Sequence, residues 1–359
     1  MRIAIIMDRF EQGGVTTHNL TLAKALMEIG HQVFLYAAAA SKANIDYLNQ
    51  NGDLFQYKLW EDNPVQDLKS FQPDIIHAHP FQALKKGFEI SQALKAPLFI
   101  TSHGSYPIGL DRSKASKNKC NNIKRIISVD YIPHYHLFQT IACPEKISII
   151  PNGIDLDHFQ PFESDPKYKL DLDLNPDWFT ITSVSRLGDG KHQTVGQLIN
   201  CSKEIASNID GLNIIIVGGG PYYTHIKNQV KSLLKNEKNI NCKVVGYQFD
   251  VRNFVAASDL VIGCGRVALE AIACKRPVLC SYGDGVKELF TPDNYNKFLY
   301  RHRMCPPLDD KELIKLLIKT VKNNDSNKAT LNKSLHLVKR NHDIKDIAQQ
   351  HVRLYQEYL

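Results

Sequence analysis

The chain has 359 residues, of which 43% are hydrophobic and 23% charged, a composition that excludes disorder, a collagen-like repeat and a coiled coil. This length is too great for one ordinary α/β unit and suits two domains of comparable size. The formal net charge of +7 is concentrated late, with twelve Lys/Arg against seven Asp/Glu from residue 301 onward, and reads as a solvated helical face before it reads as a nucleic-acid or membrane footprint.

Met1 runs straight into Ile3-Ala4-Ile5-Ile6-Met7 and then Asp8, which is unlike a signal peptide. No apolar run approaches the roughly 18 residues that span a bilayer. The eight cysteines, Cys120, Cys143, Cys201, Cys242, Cys264, Cys274, Cys280 and Cys305, include no C-x-x-C pair. They read as free thiols in a reducing cytoplasm, neither a disulfide frame nor a zinc site.

Short apolar runs alternate with helical patterns along the chain, the signature of βαβ units around a parallel sheet. The first half has such runs at residues 2–7, 32–36, 74–78, 97–101, 126–129 and 147–150, with Leu20, Ala23, Leu26 and Met27 at helical spacing between the first two. Next come Ile150-Pro151-Asn152-Gly153-Ile154-Asp155 and a polar, Pro-containing stretch from Gln160 to Pro176, which suit a hinge and linker. The same plan restarts at Phe179–Val184 and continues through Leu212–Val217, Cys242–Val245, Leu260–Ile262 and Pro277–Cys280. Two doubly wound α/β domains are expected. Residues 311–359 predict three helices, with Asp309, Asp310 and Asn341-His342-Asp343 as capping segments.

Three glycine-bearing strand-to-helix turns are candidates for chemistry. Glycine permits a tight turn and lets an anion approach the free N–H groups at a helix start. The first is Gly13-Gly14-Val15, the second Gly218-Gly219-Gly220-Pro221; neither is a G-x-G-x-x-G fingerprint, and each alone is as readily a plain turn. The third, Gly263-Cys264-Gly265-Arg266, opens a helix carrying Glu270 about a turn and a half along. There a carboxylate can accept hydrogen bonds from ribose hydroxyls while phosphates sit at the helix start. Because Glu270 lies within the apolar Ala-Leu-Glu-Ala-Ile-Ala, its charge requires a polar partner. Arg186 and Lys191, on the loop after Phe179–Val184, are cations suited to a diphosphate leaving group. His77-x-His79 and His134-x-His136 are read as ordinary histidines, with His-x-His at a strand end alternating faces and no third metal ligand in view, and His192 likewise. Asp130 reads as a helix N-cap for Tyr131 onward before it reads as an acceptor-side residue.

Taken in order, Gly13-Gly14, Asp74-Ile75-Ile76-His77-Ala78-His79, Thr101-Ser102-His103-Gly104, Ile150–Asp155, Ser185-Arg186-Leu187 with Lys191, Val217–Pro221 and Ala268–Ala273 before Arg276-Pro277-Val278 resemble the retaining, nucleotide-sugar-dependent glycosyltransferases of family 4. The resemblance covers nearly the full chain. It implies the GT-B fold, two Rossmann-like doubly wound parallel-sheet domains facing a central cleft. Residues 1–155 with a C-terminal helix at about 342–359 would form the acceptor-side domain, and residues 156–341 the donor domain. It further implies that Gly13 and Gly14 lie beside the donor diphosphate, and that His103 reaches the donor sugar or reacting centre. Arg186 and Lys191 would hold the donor phosphates, Gly218, Gly219, Gly263 and Gly265 would approach the donor, Tyr247 would wall the base, and Glu270 would bind the ribose. Cations and helix ends then meet the developing charge, so no metal and no cofactor beyond the nucleotide-diphosphate sugar is expected. Nucleic acid is not an expected partner.

One departure stands out. The first glutamate of the family's E-x7-E pattern falls on Ile262, and Arg266 brings a positive charge to the same turn, where it could contact phosphate or a carboxylated sugar. The expected function is transfer of a sugar, with retention, to an acceptor sugar, glycolipid or small molecule in glycan, glycolipid or cell-envelope polysaccharide synthesis. The alternatives are a GT-B nucleotide-sugar epimerase and a catalytically weak nucleotide-sugar-binding relative. The basic run Arg112–Lys119 with Lys124-Arg125 suits either a solvated loop or peripheral contact with an anionic membrane on its inner face.

Overall fold

The computed structural model describes residues 1–11, 13–50, 55–60, 63–79, 81–161, 166–300, 305–322 and 328–359. Residues 162–165 of the expected linker lie outside these, as do Arg301 and Arg303 of the basic C-terminal count. The chain forms two compact units, Met1–Asp155 with His342–Leu359, and Leu156–Asn341.

The first unit holds a seven-stranded sheet of β1 (Arg2–Phe10), β2 (Gln32–Ala40), β3 (Gln56–Leu59), β4 (Ile75–His79), β5 (Leu98–Ser102), β6 (Ile123–Ser128) and β7 (Ile147–Ile149). Its order is β3-β2-β1-β4-β5-β6-β7, and every neighbouring pair is parallel. Helices cover both faces of a sheet of this kind, so its central strands are apolar runs and not alternating ones: all of Ile75–His79 and Leu98–Ser102 is buried.

The second unit repeats the plan in a six-stranded sheet of β8 (Phe179–Val184), β9 (Leu212–Val217), β10 (Ile240–Gly246), β11 (Leu260–Gly263), β12 (Val278–Tyr282) and β13 (Gly285–Leu289). The order is β10-β9-β8-β11-β12-β13, with β12 and β13 antiparallel and the rest parallel. In both sheets the order reverses between the first strand and the fourth, which leaves a crevice outside the carboxyl ends of β1 and β4 and another outside β8 and β11. β3 and β13 are not apparent in the sequence. Both are short edge strands, with an intermediate or incomplete burial pattern that gives no continuous apolar run.

The C-terminal segment forms the three predicted helices, Asp310–Lys322, Lys328–His342 and Ile344–Gln356. Asp309 and Glu312 exchange hydrogen bonds as a capping box (3.0 and 2.8 Å), and Asp343 accepts from Lys345 N at 2.9 Å. The last helix belongs to the first unit: Ile154 N donates to His342 O at 2.7 Å and Ile344 N to Ile154 O at 3.1 Å. Gly153 is required there, since a Cβ would stand 2.9 Å from Ile344 Cα.

The free-thiol reading needs one correction. Cys120 and Cys143, whose Cα atoms are 6.1 Å apart, form a disulfide, within the usual reach of such a bridge. They stand 23 positions apart in sequence, so no local spacing signals the pair; the helix at Lys114–Cys120, β6 and the helix at Tyr131–Thr140 bring them together. Cys201, Cys242, Cys274, Cys280 and Cys305 are free thiols.

Candidate active site

In the second unit the loop after β8 and the loop after β9 are stitched by backbone. Ser185 N donates to Val217 O (3.0 Å), Leu187 N to Gly219 O (2.9 Å) and Tyr222 N to Leu187 O (3.1 Å). A Cβ on Gly218 would lie 1.8 Å from Ser185 O, and one on Gly220 2.5 Å from Leu187 O. These two glycines therefore have a structural cause, the close approach of two backbones. The same stitching fixes the loop that presents Arg186 and the helix start at Lys191. Both cations are exposed, and neither has an ion pair among the described residues. His192, one residue on, stacks face to face on Tyr222 at 3.7 Å.

Beside that loop, β11 runs into Gly263-Cys264-Gly265 and the helix Arg266–Ala273. Gly265 caps this helix at φ 55°, a left-handed conformation that favours glycine, and a Cβ there would meet nothing within 4 Å. Gly263 differs: a Cβ would press to 2.5 Å from Val267 Cγ1. Glu270 is 4% exposed and Arg266 8%, and Arg266 Nη2 donates to Glu270 Oε1 at 3.2 Å. Arg266 is thus turned along its own helix onto the carboxylate and supplies the polar partner that the apolar surroundings demand. Burial pushes the Glu270 carboxyl up while Arg266 draws it down, and burial prevails. Ile262 is 1% exposed on β11, packed in the core of the sheet. Tyr247 follows β10 half-buried, its phenol pushed up by burial.

In the first unit Gly13, at φ 147°, caps the helix Gly14–Glu28. A Cβ on Gly13 or Gly14 would meet nothing within 4 Å, so here, unlike at Gly218, packing does not demand the glycines. His103, just past β5, donates its backbone N–H to Tyr106 Oη at 3.0 Å, and its Nε2 lies 2.8 Å from His79 Nδ1.

The reading of His77 and His79 is corrected. Residues two apart on a strand share a face, and their rings lie 4.5 Å apart. The partners not visible from local spacing come from other segments: His18 from the helix Gly14–Glu28, His103, and His351 with Tyr355 from the last helix. His77 pairs through Nε2 with Thr101 Oγ1 and through Nδ1 with Tyr355 Oη, both at 2.7 Å. Burial is the main cause that pushes His77 and His79 well below the ordinary histidine value, and it lowers His351 to about 4. His77, His79 and His351 are therefore neutral near pH 7.

Asp130 accepts from Ile132 N at 2.8 Å and caps the helix Tyr131–Thr140. That helix exposes Tyr131, Tyr135 and Phe138 at 39%, 65% and 54%, an i, i+4, i+7 stripe on one face that the sequence reading missed. Arg112 Nη2 donates to Phe138 O at 3.3 Å and the Cys120–Cys143 bridge lies close by in sequence, so the basic segment is tied to the end of this stripe. Among the described residues no helix is long and apolar enough to cross a membrane.

Comparison with known proteins follows the same two units. Residues 12–158 match the family model "Glycosyltransferase Family 4" and residues 165–336 match "Glycosyl transferases group 1". The chain is 23% identical to the alpha-monoglucosyldiacylglycerol synthase of Acholeplasma laidlawii over 94% of this chain and 92% of that protein. It is 21% identical to the enzyme of the same name from Streptococcus pneumoniae, over 84% and 75%. Among solved structures, Anabaena Alr3699/HepE in complex with UDP-glucose superposes with a TM-score of 0.75 at 19% identity, covering 99% of this chain and 100% of that one. The likeness establishes the fold.

Proposed function

Since the chain belongs to the glycosyltransferases, with a family 4 N-terminal domain and a group 1 domain on the GT-B fold, we propose that it transfers a hexose, with retention, from a nucleoside diphosphate sugar to a membrane glycolipid or cell-envelope acceptor. The observation that carries this reading is the carboxyl edge of the second sheet. There the exposed Arg186 and Lys191 flank a loop held by the Gly218–Gly220 turn, and the glycine-lined helix start at Gly263–Gly265 leads to the buried Glu270. In this reading Arg186 and Lys191 bind the diphosphate and meet the charge that develops as it departs, Glu270 holds the ribose, and Tyr247 borders the base. Gly13, Gly14 and His103 are the corresponding groups of the first unit. No metal is needed for leaving-group stabilisation.

The acceptor half of the proposal draws on the relatives, whose names specify a diacylglycerol glycolipid product, and on the aromatic stripe beside the basic segment. Tyr131, Tyr135 and Phe138 insert at the lipid interface while Arg112, Lys114, Lys117 and Lys119 meet anionic headgroups at the inner face of the membrane.

The test is a transfer assay over a panel of nucleotide sugars and diacylglycerol or polyprenol-linked acceptors, preceded by thermal-shift screening of nucleoside diphosphates. One nucleotide raises the melting midpoint, its sugar is transferred, and EDTA does not lower the rate. Lys191→Ala lowers kcat about 100-fold at saturating donor; a wild-type kcat removes Lys191 from this role. Interconversion of the sugar without acceptor would assign the epimerase reading instead. Sedimentation with anionic but not neutral vesicles, lost in Tyr135→Ser/Phe138→Ser, tests the membrane contact, and equal partition in the double variant rejects it.

A further inference from the structure

The buried histidines of the first unit meet in a way that transfer does not require. His18, His79 and His103 each place one ring nitrogen within 4.8 Å of the other two. They come from three elements, the helix Gly14–Glu28, the end of β4 and the segment just past β5, at the carboxyl edge of the sheet. The geometry points to a site for one divalent transition-metal ion of the zinc class, held by the imidazoles of His18, His79 and His103.

The surrounding structure supports it. First, the donor set is right: three imidazoles are a recurrent environment for zinc, whose tetrahedral coordination at about 2.0–2.1 Å per nitrogen places ligand atoms a little over 3 Å apart. The present spacing needs the 2.8 Å contact between His79 Nδ1 and His103 Nε2 to open slightly and the longer separations to close. Second, the rings are backed by structure that limits their motion: the His77 ring lies tilted against His79 at 4.5 Å and is itself fixed by Thr101 and Tyr355, the kind of outer shell that orients metal ligands.

This site does not depend on the transfer reaction, although it uses His103. If His103 also serves the reacting centre, as proposed above, a loaded ion competes with that role and lowers the rate. Binding is therefore measured directly. Equilibrium dialysis of the full chain against Zn2+, and titration with Co2+ followed by its visible ligand-field absorption, are expected to show one tight ion per chain and a rise of several degrees in the thermal midpoint. Removing one of three ligands in His18→Asn or His79→Asn is expected to weaken affinity about 100-fold or more, while His336→Asn, at an exposed position, leaves it unchanged. Because the first two positions are buried and the variants could fail to fold, X-ray absorption at the zinc edge of the wild-type protein is the companion measurement. Three imidazole nitrogens in the first coordination shell support the site. No stoichiometric ion, fewer than three imidazoles, or an affinity unchanged in folded His18→Asn and His79→Asn overturns it and leaves the cluster as a hydrogen-bonded support for His103. A transferase that fails the assay above but binds zinc this way separates the two conclusions.

Discussion

The two units share a strand order and differ in what they bury. Among the described residues the first unit buries His18, His77, His79, His342 and His351 and no Asp, Glu, Lys or Arg; the second buries Arg266, Glu270 and Lys287 and no histidine. Each solution meets the cost of a buried polar group differently. An imidazole can shed its charge and enter a core neutral, linked to hydroxyls as His77 is to Thr101 and Tyr355. A guanidinium cannot, so Arg266 enters only with Glu270 at 3.2 Å. The consequence is that the first unit is sensitive to acidification, whereas the second is sensitive to loss of a partner.

Acidification gives the largest expected separation. Groups with depressed folded values contribute stability above their unfolded value, about 6.5 for histidine, and lose it as the pH falls toward the folded one. His351, lowered to about 4, removes roughly 3 kcal/mol between pH 6.5 and pH 4, and His77 and His79 act in the same direction. The chain has two tryptophans, Trp60 in the first unit and Trp178 in the second. Fluorescence of Trp178→Phe and Trp60→Phe variants therefore follows each unit by itself. Urea midpoints of the first unit should drop steeply below pH 6.5 while those of the second change little. Parallel loss in both would break the comparison.

The converse experiment is Arg266→Ala. It strands a buried carboxylate and is expected to destabilise the second unit by about 3 kcal/mol, read by Trp178 with Trp60 unaffected. Replacing both partners, in Arg266→Met/Glu270→Leu, should return most of that loss. Reduction of the Cys120–Cys143 bridge comes next, at about 2–3 kcal/mol, and belongs to the first unit alone.

How much of this the sequence reveals depends on the range of the signal. The βαβ alternation, the three C-terminal helices and the Asp130 and Asp343 caps rest on periodicity and on neighbours within four residues, and are legible. Arg186, Lys191 and Glu270 are legible as candidates because each lies a fixed distance from a strand end. The pairing of Arg266 with Glu270 is an i, i+4 contact that helical spacing alone suggests, yet the charge change at Arg266 drew attention toward a ligand. The histidine cluster is not legible. Its members come from residues 18, 77, 79, 103 and 351, and only the β1–β4 crossover and the return of the last helix bring them together. The disulfide is hidden for the same reason, and the Tyr131, Tyr135, Phe138 stripe because helical spacing of aromatics looks the same whether the face is covered or bare.

That return of the last helix gives the smallest and most discriminating test. Asp343 caps it by accepting from Lys345 N at 2.9 Å, and the helix carries His351 and Tyr355 into the cluster. Asp343→Ala is expected to cost about 1 kcal/mol at pH 7.5, detected through Trp60 and not through Trp178. Its value lies in the pH profile. If docking of this helix and neutralisation of the histidines are one cooperative event, the variant reaches its acid midpoint at a higher pH than the wild type, because less stability remains to hold His351 and His77 neutral. If the acid midpoint is unmoved while the urea midpoint at pH 7.5 falls, the helix frays independently of the cluster. Burial by the rest of the first unit would then suffice to keep its imidazoles uncharged.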